Sequence, residues 1–101
     1  MDSTVYLISK TYKEDELGQR IPEKENRIEV FVRIESVNRT EFYKAGQSGL
    51  KPEFVFVTNK INYSGEQELE YEGKRYDIYR TYSPPDSDDI EIYVHKKVGV
   101  Q

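Results

Sequence analysis

The sequence predicts a mainly β fold: a small antiparallel β-barrel or sandwich of five to six strands, with one short helix in the insert between strands 2 and 3. Three observations carry this. Apolar and polar residues alternate with period two over stretches of strand length, most cleanly in RIEVFVRIESV, Arg27 to Val37. Turn-forming clusters separate these stretches, at NYSGEQ (Asn62 to Gln67), Glu72-Gly73 and SPPDSDD (Ser83 to Asp89). Helical spacing appears once, between Asn38 and Pro52. A chain of 101 residues is one domain, residues 1–101, with a single modest core.

The first strand is TVYLISKTY, Thr4 to Tyr12, rich in β-branched and aromatic residues. Residues 13–26 (KEDELGQRIPEKEN) combine Gly18, Pro22 and dense charge with no core face, which predicts a long exposed loop. In the second strand Ile28, Val30, Val32 and Ile34 share the inward face. Phe31 is an aromatic on the polar face, suited to a barrel rim or a partner contact.

In the insert, Asn38 or Thr40 can cap a helix that carries Phe42, Ala45 and Tyr43 as an apolar stripe and ends at Gly46 and Gly49. A helix this short needs docking to persist. Pro52 then opens a third strand, Glu53 to Tyr63. A hairpin follows over Glu68 to Tyr82, turning at Glu72-Gly73, with Tyr76, Ile78 and Arg80 alternating with Asp77 and Tyr79. The last strand is Ile90 to Val98, with Ile90, Ile92 and Val94 inward.

Composition narrows the function. The formal net charge is −4, with 19 acidic against 15 basic residues, whereas a free nucleic-acid binder is more often basic. The chain has no cysteine, which removes disulfides and thiolate metal sites. The opening MDSTVYLISK lacks the build of a signal peptide and no run reaches membrane-span length, so a soluble protein made in a cytoplasm is expected.

Catalytic chemistry is nearly silent. His95 is the sole histidine, on an outward strand position with no serine or aspartate spaced to make a catalytic set. The carboxylates of KEDELGQ and PDSDD do not follow a calcium-loop pattern, and Gly46 and Gly49 lack the strand context of a phosphate cradle. No enzyme activity, metal or cofactor is expected. Tyr63, Tyr71, Tyr76, Tyr79, Tyr82 and Tyr93 could stack bases on a barrel, but Tyr79 and Tyr82 fall on opposite faces by alternation. Tyrosine also suits a half-buried sheet face or a protein contact.

The series DELGQ, then VFVRIESVNRTEFYKAGQSGLKPEFVFV, then NYSGEQELEYEGKRYDIYRTY resembles the head-tail joining (head closure, head-tail connector) proteins of tailed bacteriophages and prophages. The clearest pieces are Glu41 to Gly46 and Tyr71 to Ile78. The likeness spans nearly the whole chain and rests on the order of packing and turn residues. Thr58-Asn59-Lys60 departs from the family in being less basic.

The resemblance implies a β-barrel that assembles as a ring beneath the portal and adaptor of a filled capsid. That ring closes the DNA channel, lets packaged DNA pass without sequence-specific binding, and presents a tail-docking surface. The protein would then reside in the virion, at the head-tail interface, and could be monomeric before assembly. The family's stopper loop between strands 2 and 3 corresponds by position to the insert, which places Arg39, Glu41, Phe42, Tyr43, Lys44, Gly46, Gln47, Gly49 and Lys51 in a channel or stopper role. The insert either orders only on assembly or docks as a helix over one open end of the barrel. Glu14, Asp15, Glu16, Gln19, Arg20, Lys24, Arg27 and Phe31 form the expected contact with ring neighbours or the adaptor. The alternatives are a tail-terminator or tail-completion protein and a single-stranded nucleic-acid-binding barrel.

Overall fold

The computed structural model describes residues 2–97. Val98, the last residue of the expected final strand, lies outside them. The elements are β1 (Asp2–Glu14), β2 (Arg20–Glu35), α1 (Arg39–Gln47), β3 (Pro52–Asn59), a single 3₁₀ turn (Lys60–Asn62), β4 (Glu68–Tyr71), β5 (Lys74–Tyr82) and β6 (Asp89–Lys96). All neighbouring strands pair antiparallel and close into a barrel of order β1-β2-β3-β6-β5-β4. The fold is therefore mainly β, with one short helix between the second and third strands.

Alternation explains the core. Val5 and Leu7 of β1, Val30 and Val32 of β2, Phe56 of β3, Leu69 and Tyr71 of β4, Tyr76 of β5, and Ile92 and Val94 of β6 fill the interior. Phe54 meets Tyr71 and Tyr76 edge-on, at 5.4 and 5.7 Å between ring centroids, a geometry that aromatic quadrupoles favour. The β4–β5 hairpin turns where expected: Glu72 and Gly73 both take positive φ, 51° and 78°, as a two-residue hairpin turn requires.

Residues 13–26 are not a loop. They extend β1 and β2 into one long hairpin with a tip at Asp15 to Gln19. Cross-strand hydrogen bonds hold this ribbon without a core face, so its charge misled the sequence reading. Pro22 is accommodated because it falls at a β-bulge between Thr11 and Tyr12. Only β1 residues 6–8 pair with β4, and only β2 residues 33–35 pair with β3. Beyond the Ile8–Arg27 pair, residues 9–26 have no further strand beside them among the described residues and project as an arm, which accounts for a long axis of 47 Å against 30 and 27 Å. The radius of gyration is accordingly 14.9 Å, above the value of about 13 Å for a compact chain of this length.

Three smaller differences follow from local chemistry. Ile28 keeps the inward phase but is half exposed, because β3 does not flank it. The third strand ends at Asn59 rather than Tyr63: the Asn59 side chain accepts from Ile61 N at 3.0 Å and starts the 3₁₀ turn. A bulge in β5 places Ile78 opposite Val94 but Arg80 opposite Tyr93, leaving Tyr79 as the extra residue. Arg80 is thereby moved from the inward phase of Ile78 to the outer wall.

Phe56 is fully buried, with its ring 5.5 Å from Phe54 and 5.3 Å from Tyr71. Phe56→Ala should cost about 3–5 kcal/mol, read as a lower denaturation midpoint at unchanged slope. Phe31→Ala, at a side chain 80% exposed, should stay within about 0.5 kcal/mol.

Candidate functional site

The insert helix is built from recognisable end signals. Asn38 caps it, its side chain accepting from Glu41 N at 2.8 Å. At the other end Leu50 N donates to Ala45 O and Gly49 N to Gly46 O, both at 3.0 Å, with Gly49 at φ 78°. This is the double-bonded helix stop that a left-handed glycine permits. Gly46, expected to end the helix, lies inside its last turn.

The helix docks on the outer wall of the barrel rather than over an open end. Val55 and Val57 of β3 and Tyr93 of β6 point away from the interior and form a second apolar cluster with Val37 and Tyr79. Over this wall the helix buries Glu41 and Ala45, not the expected aromatic stripe. Glu41 is 7% exposed. Its carboxylate accepts from Arg80 Nη2 at 2.6 Å, from Arg80 Nε at 3.2 Å and from Tyr79 Oη at 2.6 Å. The Arg80 guanidinium in turn lies 4.0 Å from the Tyr93 ring centroid, and Tyr93 Oη donates to Glu91 at 2.6 Å.

The electrostatics agree with the geometry. Hydrogen bonding from Arg80, helped by Tyr79, holds the Glu41 carboxyl below the ordinary glutamate range against the opposing effect of burial. Burial, and then the bond to Glu41, raises the Tyr79 hydroxyl. Burial and the bond to Glu91 push Tyr93 up to about 12. Both phenols stay protonated as donors at neutral pH.

With Glu41 turned inward, the rest of the insert faces out. Phe42 is 53% and Tyr43 69% exposed. Arg39, Lys44, Gln47, Gly49 and Lys51 are exposed too. Arg39, Phe42, Tyr43, Gly46 and Gln47 line one shallow surface hollow.

The residues expected at a subunit or adaptor contact divide into two groups. Glu14, Glu16, Gln19 and Arg20 sit at the exposed arm tip, with Asp15 half-buried in its turn, and Lys24 lies along the arm. Phe31 stands out from β2 above Thr58, whose hydroxyl donates to Phe31 O at 2.9 Å. Arg27 instead belongs to the barrel wall: it donates to Glu70 at 2.8 Å and lies 4.5 Å from the Tyr6 ring centroid. There it joins a network in which Arg75 reaches Glu25, Glu68 and Glu70, and Glu68 also meets Lys10 and Lys97. Burial opposes the charge of Glu68, but hydrogen bonds from Lys10 and Lys97 outweigh it and lower its pKa.

The tyrosines do not assemble a stacking platform. Tyr71 and Tyr76 are core residues, Tyr93 lies beneath Arg80, and of the six singled out in the sequence only Tyr82 is exposed. The β5 bulge corrects their phase: Tyr82 opposite Glu91 and Tyr79 both face outward, not on opposite faces. His95 is partly covered by the Tyr79 ring, 5.7 Å between centroids. Among the described residues no cluster of His, Asp and Glu is placed to hold a metal ion, and no helix is long and apolar enough to cross a membrane.

Compared with protein-family models and with curated protein sequences, the chain has no match.

Glu41→Gln should lower stability by about 1–3 kcal/mol at pH 7, nearer the low end because Arg80 is partly solvated and retains water as a partner. The folded-state pKa of Glu41 lies below its unfolded value. Its contribution is therefore full above the unfolded pKa of about 4.3 and lost as pH falls through the lower folded-state value. The gap between wild type and E41Q should shrink through that acid window, measured by urea denaturation at stepped pH.

Proposed function

We propose that this protein is a structural, non-catalytic part of a tailed phage or prophage virion. It would assemble as a ring at the head-tail interface, closing the DNA channel below the portal and adaptor and offering a docking surface to the tail. The observation that carries this reading is the outward presentation of Phe42 and Tyr43 on a helix pinned by the ion pair between buried Glu41 and Arg80. Folding into the isolated barrel does not use these aromatics, and aromatic side chains of this kind anchor protein interfaces.

Two further features support the reading. The series of residues that resembles the head-tail joining family covers the end of β2, the insert, β3, β4 and β5 together. The arm places a further exposed apolar residue, Leu17, at a point remote from the barrel. The acidic balance of the chain fits a passage that repels duplex DNA and lets it slide; a basic ring lumen would contradict that part of the mechanism.

Light scattering tests the proposal, first on the protein alone and then on the protein with its cognate portal–adaptor complex or emptied capsids. The expected outcome is a small species alone and a stoichiometric ring on the complex. Indifference to capsids together with a mobility shift on single-stranded DNA would replace this function with nucleic-acid binding.

A further inference from the structure

The arm tip and the outer face of α1 are two exposed surfaces of complementary character. At the tip, Asp15 Oδ1 accepts from Leu17 N at 2.8 Å and Gln19 N at 2.9 Å, and Gly18 turns at φ 80°. This tight turn holds Leu17 out, 83% exposed, between the exposed carboxylates of Glu14 and Glu16. Lys13 and Arg20 lie at the base of the tip, and the Arg20 guanidinium is drawn over the Tyr12 ring at 4.5 Å. A knob preorganised in this way loses little entropy on docking.

The helix face is the converse. Its one acid, Glu41, is buried against Arg80, so the exposed charges of the segment, Arg39, Lys44 and Lys51, are all positive. Gly46 stands three and four residues beyond Tyr43 and Phe42, on the same face. Apart from its own helix, nothing lies within 4 Å of where its Cβ would be. Arg39, Phe42, Tyr43, Gly46 and Gln47 line a shallow hollow, a notch open at Gly46 with cations around it.

These surfaces cannot meet within one chain. The tip lies beyond one end of β2 and α1 begins past the other, and β2 has sixteen residues, about 50 Å of strand. The arm itself has free edges on both sides, and a lone two-stranded ribbon is marginal in water without a neighbour.

We propose that the arm tip of one copy, led by Leu17, docks in the Phe42–Tyr43–Gly46 notch of the next copy, with Glu14 and Glu16 facing Arg39 and Lys44. Such a contact joins two different surfaces head to tail, the arrangement that generates a ring when its rotation closes. It deepens the ring assembly proposed above and rests on it for its setting.

The chain has no cysteine, so a pair of engineered ones reports the contact directly. One preparation carries Leu17→Cys and another Gln47→Cys, both at exposed positions. They are mixed and treated with a short bifunctional thiol cross-linker, in concentrated solution and on the portal–adaptor complex. The expected product is a heterodimer from the mixture and none from either variant alone. A double variant should give a ladder. Reversing Glu14 and Glu16 to Lys should cut the yield about tenfold, and pairing that chain with Arg39→Glu, Lys44→Glu should restore it. Gly46→Leu, which fills the notch while favouring the helix, should also suppress the product. No heterodimer in either setting, or a homodimer from Leu17→Cys alone, overturns the proposal. A ring on the complex without this cross-link leaves the head-tail function standing and removes the contact. The cross-link without capsid binding does the reverse.

Discussion

The β1–β2 hairpin belongs to the barrel through two short seams, three residue pairs to β4 and three to β3. Everything else about the shape depends on that restriction. In and beside the seams the hairpin contributes Val5, Leu7, Val30 and Val32 to a common core and completes the cylinder. Beyond them neither strand has a further neighbour among the described residues, so the same two strands leave the barrel as an arm. A sheet that closed along its full length would hide its edges. This one closes just far enough to seal the apolar interior and leaves a long polar ribbon in water.

A second constraint sits on the opposite side. The wall formed by β3 and β6 is apolar on both faces, because Val55, Val57 and Tyr93 alternate with the core residues Phe56, Ile92 and Val94. An apolar outer face needs cover, and α1 is placed over it by a carboxylate and the small Ala45 rather than by its aromatic residues. Glu41 is buried while Arg80 stays partly solvated, so removing the arginine leaves a buried charge unpaired, which is more damaging than the pair itself is stabilising. The Glu41–Arg80 contact is therefore best understood as a device for position: it sets which side of a short amphipathic helix faces the barrel. With the acid inward, the aromatics must face out. The exposure of Phe42 and Tyr43 is thus a consequence of an internal charge pairing.

The other wall is organised by charge. Ile8 pairs with Arg27 on one side and Glu68 on the other, points outward, and is nonetheless 2% exposed. Its cross-strand partners Arg27 and Glu68 carry ion pairs on that face, Arg27 to Glu70 and Glu68 to Lys10 and Arg75, and side chains of this length can lay their alkyl stems over apolar surface. Individual surface pairs of this kind contribute little. Their joint effect is to cover an apolar residue without adding an element.

Several features were legible in the residues themselves. Period-two alternation identified the core strands. Asn38, one of two expected caps, and Gly49, one of two expected stops, marked the limits of the helix, and Glu72-Gly73 the tight hairpin, because each acts through its own backbone and near neighbours. The arm was not legible, since a ribbon held by cross-strand hydrogen bonds with no buried face leaves no hydrophobic period to read. Nor was the Glu41–Arg80–Tyr79 cluster. It depends on a single extra residue in β5, and a bulge shifts the phase of every later side chain without any signal in the composition. The alternation of the chain determined what is inside the barrel. Register, seam length and that one bulge, all settled by long-range pairing, decided which residues stay exposed on its surface.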